Sequence, residues 1–163
     1  MKKINFLTQA AMIAALYVVL TLAINAFGLA SGAIQVRVSE ALTILPYFTP
    51  AAIPGLFIGC LLSNTITGCA LFDIIFGSIA TLLGAVGTYL LRRHKWLAPV
   101  SPIIANTIIV PFVLSYVYGT LGTIPYLMLT VGIGEVLSCG VLGMVLLFAL
   151  NKYRTTLFGI DAS

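Results

Sequence analysis

Long uncharged runs dominate the hydrophobic pattern of this chain. Lys, Arg, Asp and Glu leave five such runs, at residues 4–36, 41–72, 74–91, 96–134 and 136–151. A helix needs about 20 consecutive apolar residues to cross a bilayer core about 30 Å thick. The pattern therefore predicts several membrane-crossing helices.

Glycine and proline divide the two longest runs. Gly28 ends a first helix, and Pro46, Pro50 and Pro54 oppose one continuous helix through the second run. The predicted fold class is an all-α integral membrane protein that forms one domain over residues 1–163. Six transmembrane helices are predicted, at residues 6–27, 36–48, 51–67, 73–92, 97–118 and 123–150. The second helix is short, since about 13 residues extend for only about 20 Å.

The positive charges of the chain lie in three clusters, at residues 2–3, 92–95 and 152–154. Cytoplasmic loops carry an excess of Lys and Arg. Six crossings place all three clusters on one side of the membrane, whereas five would place the last two clusters on the opposite side from the first. We therefore expect six crossings and cytoplasmic N and C termini. The first cluster and the apolar run after it also resemble a signal peptide, but the crossings that follow favour a retained first helix.

Composition excludes most other classes of protein. Hydrophobic residues make up 61% of the 163 residues, charged residues only 7%, and mean hydropathy is +1.16. Soluble domains carry about 25% charged residues. The net charge of +4 lies in the clusters beside the membrane and is explained by orientation and anionic lipid. We therefore expect membrane lipid, and no nucleic acid, as a partner.

The sequence offers no recognisable catalytic apparatus. It contains no GxxxxGKS or GxxxxGKT loop, no HExxH and no GxSxG, and its single histidine, His94, lies in a basic loop. The three cysteines lack metal-ligand spacing. We predict no catalytic residue, no metal and no cofactor, and therefore a protein that is not an enzyme.

Polar residues within the predicted helices are the candidates for function, because ionisable groups in a bilayer cost about 2.5–3.5 kcal/mol each. The six-crossing map places Arg37, Glu40 and Asp73 at the outer face. Glu135 lies about 18 Å below the outer end of the sixth helix and is predicted to be the only carboxylate near the membrane middle. Asn106 is the amide at similar depth. These residues predict a pocket, open to the outside, for a ligand with ammonium, amidine-like or guanine-type donors.

Structural roles are the alternatives for the same residues. Arg37 and Glu40 are three residues apart and suit a local ion pair. Asp73 suits an N-terminal cap of the fourth helix. Glu135 fits the role of a protonated carboxyl group that is hydrogen-bonded to a neighbouring helix. The sequence leaves these alternatives open.

Small residues recur in the first helix in two registers, Ala10 with Ala14 and Ala11 with Ala15. Pairs of small residues four apart let helices approach closely. The pattern serves internal packing as readily as contact with a partner protein.

Three stretches of this chain resemble a known family. They read QVRVSEALTILP at residues 35–46, FTPAAIPGL at residues 48–56 and LFDIIFGS at residues 71–78. They resemble the QueT-type queuosine-precursor transporters, within the substrate-binding (S) components of energy-coupling factor (ECF) transporters. The resemblance covers nearly the whole chain.

The resemblance implies a mechanism. Such subunits bind a nutrient from outside the cell, dock on a transmembrane coupling subunit driven by two cytoplasmic ATPases, and tip over to release it inside. An alanine pair in the first helix docks them, which here is Ala10 with Ala14 or Ala11 with Ala15. The implied location is the cell membrane, with several crossings.

The resemblance also implies a ligand, namely 7-aminomethyl-7-deazaguanine or queuine. Glu135 would accept hydrogen bonds from its pyrimidine edge, and Asp73 or Glu40 would hold the ammonium. Asn106 would complete the recognition, with Arg37 nearby as the cation of the site.

Three other functions fit the same pattern. The same machine could carry another vitamin, although folate or biotin would bring carboxylates to a pocket whose only cation is Arg37. A stand-alone small ion- or proton-coupled transporter would use Glu135 as its proton carrier. A membrane scaffold would bind no small ligand.

Overall fold

The structure is a computed structural model, and it describes residues 2–27, 37–119 and 123–158. Within them the regular elements are all helical, which confirms the predicted all-α class. In chain order these are α1 Lys2–Ala26, a 3₁₀ helix Val38–Tyr47, α2 Ala52–Ile66, α3 Leu71–Leu90, α4 Val100–Tyr118, α5 Ile124–Glu135, a π-helical segment Val136–Leu142, α6 Gly143–Asn151 and α7 Arg154–Phe158. The first, third, fourth and fifth predicted helices correspond to α1, α2, α3 and α4 with bounds that differ by only a few residues, and the sixth corresponds to α5, the π-helical segment and α6 together.

Four apolar stretches are long enough to cross a membrane: Ile4–Ala26, Leu71–Leu90, Val100–Val117 and Ile124–Asn151. The last of these runs through α5, the π-helical segment and α6 without a break. The helix α2 is also apolar but has only 15 residues. By length, the described residues therefore provide four of the six predicted crossings.

The second predicted helix is a 3₁₀ helix rather than an α-helix. It contains Pro46, which lacks a backbone donor, and residues 39–46 are all buried. A 3₁₀ helix rises about 2.0 Å per residue, so its ten residues extend for about 20 Å. It contacts α1, α2, α3, α6 and the π-helical segment. Its polar side chains therefore face protein instead of lipid.

Glycines allow the helices around this 3₁₀ helix to approach closely. A Cβ atom added at Gly55 of α2 would lie 2.6 Å from the carbonyl oxygen of Ala10 in α1. One added at Gly84 of α3 would lie 2.7 Å from the Cα atom of Pro102 in α4. Backbone-to-backbone contacts of this kind are how helices associate in membranes, where lipid supplies no hydrophobic driving force between them.

Apolar side chains fill the space between α1, α2 and the 3₁₀ helix. This apolar core consists of Ile13, Tyr17, Leu42, Leu45, Ala52, Leu56, Cys60 and Ala85. It positions the side chains of the 3₁₀ helix against the neighbouring helices, and the polar ones among them form the site described next.

Candidate functional site

Six buried polar side chains meet in the middle of the protein, each from a different element. We call them the central polar cluster: Tyr17 of α1, Glu40 of the 3₁₀ helix, Thr81 of α3, Asn106 of α4, Glu135 of α5 and Cys139 of the π-helical segment. Each of these six residues has at most 6% of its surface exposed. Buried polar groups need partners, so the hydrogen bonds within this cluster determine what it can do.

Glu40 is the most heavily bonded member of the cluster. Its Oε1 atom accepts hydrogen bonds from the hydroxyl of Tyr17 and, at 3.4 Å, from Oγ1 of Thr81. Its Oε2 atom accepts one from Nδ2 of Asn106, also at 3.4 Å. Donors on three helices therefore hold both carboxylate oxygens.

The backbone of Glu40 is fixed as well. Its carbonyl oxygen accepts a hydrogen bond from Oγ1 of Thr43 at 2.6 Å and a longer one from the thiol of Cys139 at 3.4 Å. Thr43 and Cys139 also contact each other at 3.4 Å. The π-helical segment, which carries Cys139, thus closes against the 3₁₀ helix at the level of Glu40.

Glu135 lies beside Glu40 but has fewer partners. Its Oε2 atom accepts a hydrogen bond from the thiol of Cys139 at 3.1 Å, and Asn106 is a second donor to its carboxylate. A carboxylate oxygen of Glu40, one of Glu135 and the sulfur of Cys139 all lie within 4.8 Å of one another. The prediction that Glu135 is the only carboxylate near the membrane middle is therefore wrong.

The prediction that Glu40 lies at the outer face fails for the same reason. Glu40 contacts Tyr17 and Thr81, which are near the midpoints of α1 and α3. Spacing along the sequence placed Glu40 at a helix start. Instead, the 3₁₀ helix passes through the interior and carries Glu40 to the depth of Glu135.

Arg37 reaches the same region from the start of the 3₁₀ helix. With Val110, Val131 and Glu135 it lines a cavity of about 10 Å³. A cavity of this size holds about one water molecule. The guanidinium group also interacts electrostatically with Asp73 and, less strongly, with Glu40.

Asp73 is separate from the central polar cluster. It precedes Thr81 by eight residues along α3, a rise of about 12 Å. The N-cap of α3 is Ala70 and no side chain caps it, so the alternative that Asp73 is the cap is wrong, although its negative charge does lie in the first turn of α3. Asp73 is 8% exposed, and its Oδ1 atom has no hydrogen-bond partner among the described residues. Of the five predicted site residues, the structure thus brings together Arg37, Glu40, Asn106 and Glu135.

Three members of the cluster were missed from the sequence: Tyr17, Thr81 and Cys139. Tyrosine, threonine and cysteine are common in apolar helices and are normally uncharged, so they do not stand out in the sequence. One signal was available, because Cys139 follows Glu135 by four residues and so shares its helix face.

The two alanine registers of α1 have different surroundings. Ala10 and Ala14 are 6% and 8% exposed and pack against α2, where Gly55 and Gly59 make room for them. Ala11 and Ala15 are exposed. They line an apolar groove of about 540 Å³, which we call the α1 groove; its other lining residues are Leu7, Ala10, Ala14, Val18, Val19, Ile58 and Leu62.

The cluster is suited to binding a polar molecule with several N–H donors. It places two carboxylates and an amide inside an apolar shell, and carboxylates form strong, charge-assisted hydrogen bonds with such donors. Glu40, Glu135 and Cys139 are also the described residues whose ligand atoms are close enough for a metal ion. Both carboxylate oxygens of Glu40, however, already accept hydrogen bonds from protein donors.

Comparison with known proteins identifies the family. The sequence model of the QueT transporter family matches residues 7–152, which is most of the chain. The chain belongs to the QueT transporter family. Membership of a transporter family confirms the prediction that the chain is not an enzyme, and with four long apolar helices it indicates a membrane protein.

A curated relative carries a more specific name. The queuosine precursor transporter QueT of Lactococcus lactis subsp. cremoris (strain MG1363) is 37% identical over 86 residues. The aligned region covers 52% of this chain and 50% of the relative's length, so the match spans about half of the relative. No solved structure matches the chain.

Proposed function

We propose that the protein is the substrate-binding subunit of an ECF-type importer and that it carries a queuosine precursor. The ligand would be 7-aminomethyl-7-deazaguanine or queuine. Membership of the QueT family and the name of the Lactococcus relative support this class of ligand. The observation that carries the proposal is the meeting of Glu40, Asn106 and Glu135 in the interior of a transporter.

Glu135 is the proposed acceptor for the pyrimidine edge of the base. Glu135 lines the small cavity, and its Oε2 atom accepts a hydrogen bond from the thiol of Cys139. Because a thiol is a weak donor, N–H groups of a ligand would replace it. A deazaguanine presents parallel N–H donors along this edge, which a carboxylate can accept as a pair. Asn106, beside both carboxylates, would complete the recognition.

The ammonium of an aminomethyl group would lie near Glu40. Glu40 and Glu135 are within 4.8 Å of each other, so one ligand can reach both. Asp73, about 12 Å along α3 from Thr81, is the less favourable candidate. Arg37, which lines the cavity with Glu135, would balance part of the negative charge of the two carboxylates.

Ligand binding on this proposal requires the site to open. Pockets for small molecules have volumes of about 300–1,000 Å³. The cavity beside Glu135 has a volume of about 10 Å³. Its walls are Val110 of α4 and Val131 of α5, so separation of these two helices would create the space.

For the membrane topology we propose six crossings, with both termini in the cytoplasm and the protein in the cell membrane. The 3₁₀ helix and α2 would supply the two crossings that the length of the long helices does not provide. The 15 residues of α2 extend for about 22 Å and the 3₁₀ helix for about 20 Å. A short helix is tolerated in a bilayer that thins locally around it.

For docking we propose the α1 groove and the register Ala11 with Ala15. Their exposure leaves this pair free to contact a transmembrane coupling subunit, whereas Ala10 and Ala14 are covered by α2. The coupling subunit would in turn be driven by two cytoplasmic ATPases. Small residues facing the lipid allow a second helix to approach closely.

Calorimetric titration of the detergent-purified protein tests the proposed ligand. We expect one-to-one binding of 7-aminomethyl-7-deazaguanine or queuine, and much weaker binding of guanine. Thiamine and biotin serve as comparators for other vitamins. A folded protein that binds a comparator and neither deazaguanine would overturn the substrate assignment.

A stand-alone proton-coupled transporter is the second candidate, because two carboxylates lie close together in the interior. Uptake by the purified protein alone, in liposomes with a proton gradient, distinguishes the two mechanisms. The ECF proposal predicts no uptake until coupling subunit and ATPases are reconstituted with it.

A further inference from the structure

Tyr17 connects the apolar core to the central polar cluster. Its ring lies among the apolar core residues and is only 2% exposed. A Cβ atom added at Gly59 of α2 would lie 2.8 Å from the Cβ atom of Tyr17, so the base of this side chain sits directly against the backbone of α2. Packing therefore fixes where the hydroxyl group is presented.

That hydroxyl group donates its hydrogen bond to Glu40. The other two donors to the carboxylate, Thr81 and Asn106, lie at 3.4 Å, which is long for a hydrogen bond. The hydroxyl group of Thr81 is also within hydrogen-bond distance of two other acceptors, the carbonyl oxygen of Gly77 and the sulfur of Cys60. Tyr17 is therefore the donor best placed to fix the orientation of the Glu40 carboxylate.

The orientation of Glu40 matters for the proposed ligand acceptor. Asn106 donates to Oε2 of Glu40 and interacts by hydrogen bonding with Glu135. A continuous series of contacts therefore runs from Tyr17 through Glu40 and Asn106 to Glu135. Rotation of the Glu40 carboxylate would release Asn106 from its position between the two acids.

We infer that Tyr17 is a positioning residue of the ligand site, which acts by holding Glu40 and through it Asn106. This inference rests on the proposed function for its ligand. Tyr17 itself lies behind Glu40 and does not line the cavity that Glu135 and Arg37 share. Its effect on the ligand is therefore indirect.

The test compares Tyr17→Phe with Tyr126→Phe, a control on the exposed surface of α5. Tyr17→Phe removes one hydroxyl group and keeps the ring that packs in the core. We expect the Kd for 7-aminomethyl-7-deazaguanine, measured by calorimetry, to rise about tenfold in Tyr17→Phe and to stay within about twofold in the control. A Kd within about twofold of the wild-type value in Tyr17→Phe would overturn the inference.

A double variant separates positioning from a general loss of stability. If Tyr17 acts through Glu40, then Tyr17→Phe combined with Glu40→Gln binds no more weakly than Glu40→Gln alone. If the double variant instead loses affinity by the product of the two single losses, Tyr17 acts independently of Glu40, and the inference is wrong.

Thermal unfolding without ligand keeps the two proposals distinguishable. If the wild-type protein binds no deazaguanine, the proposed ligand is wrong, and the same four proteins are then compared by their unfolding temperatures. Coupled effects of Tyr17→Phe and Glu40→Gln would support the positioning role. Additive effects would overturn it.

Discussion

At the scale of single residues, the two buried glutamates have different surroundings. Donors on three helices occupy both carboxylate oxygens of Glu40, whereas Glu135 accepts from a thiol and an amide and lines a cavity. A ligand must compete with protein donors for each acceptor, and a thiol competes least. Glu135 is therefore the residue at which substitution should affect the ligand most directly.

Glu135→Gln should lower the affinity for 7-aminomethyl-7-deazaguanine at least tenfold. The substitution keeps the size of the side chain but replaces an acceptor oxygen with an NH₂ group and removes the charge that strengthens the hydrogen bonds. Calorimetric titration measures the change. The control is Tyr126→Phe on the exposed surface of α5, which should leave the Kd within about twofold, and Asp73→Asn is measured beside it as the other acidic candidate.

The size of the effect decides the role of Glu135. A Kd for Glu135→Gln within about twofold of the wild-type value, or about 0.4 kcal/mol, would remove Glu135 from the ligand site. An equal loss in Asp73→Asn would instead return Asp73 to the site as the partner of the ammonium.

At the scale of elements, the two alanine registers of α1 differ in exposure. One face carries Ala10, Ala14 and Tyr17, which pack against α2 and hold Glu40. Ala11 and Ala15 are exposed and line the α1 groove, at whose edge Ala10 and Ala14 also lie. Because α1 is apolar over most of its length, hydrophobicity alone does not distinguish its faces, and only the position of α2 shows which alanines are covered.

The two alanine registers should therefore respond differently to bulky residues. Ala11→Leu with Ala15→Leu should abolish uptake in cells that express the coupling subunit and ATPases, while ligand affinity and thermal stability stay near wild type. Ala10→Leu with Ala14→Leu should lower the unfolding temperature, since the carbonyl oxygen of Ala10 and the Cα atom of Ala14 already lie close to Gly55 and Gly59.

Measurements of radiolabelled uptake and of thermal unfolding on both double variants separate these outcomes. Normal uptake by Ala11→Leu with Ala15→Leu would contradict docking at the α1 groove. A stable, ligand-binding Ala10→Leu with Ala14→Leu variant that fails in uptake would assign docking to the other register.

The 3₁₀ helix is the element in which sequence and structure differ most. The prolines at residues 46, 50 and 54 predicted an interruption in this run, and a short helix was predicted before it, but not the 3₁₀ geometry of that helix or its central position. Both follow from packing, because α1, α2, α3, α6 and the π-helical segment surround it. Burial on all sides is a property of those neighbours, and no local pattern in residues 38–47 specifies it.

At the scale of the whole molecule, the number of membrane crossings determines which loops face the outside of the cell. Six crossings place the turn between α2 and α3 outside and the loop of residues 91–99 in the cytoplasm. The native cysteines allow a direct test, since Cys60 and Cys139 are buried and Cys69, in the α2–α3 turn, is partly exposed.

In intact cells, a membrane-impermeant maleimide should label Cys69. Lys95→Cys in a Cys69→Ser background should be labelled only after the membrane is permeabilised, because positively charged loops remain in the cytoplasm. Mass spectrometry of the purified protein reads both results. Labelling of Lys95→Cys in intact cells, without labelling of Cys69, would reverse the proposed orientation.

The sequence by itself determined the class of protein and the approximate bounds of its helices. Apolar length, glycine and proline act locally along the chain, so they are readable without a fold. The same is true of Arg37, Glu40, Asn106 and Glu135, since polar residues stand out in an apolar sequence.

Only the tertiary structure decided how these residues combine. Tyr17 and Glu40 are 23 residues apart, Glu40 and Asn106 are 66 apart, and Thr43 and Cys139 are 96 apart. It also decided that Asp73 lies apart from the cluster and that α2 covers Ala10 and Ala14. The physical reason is that helices which are apolar on every side carry no polar face to indicate their orientation, so contacts between distant segments determine which residues meet.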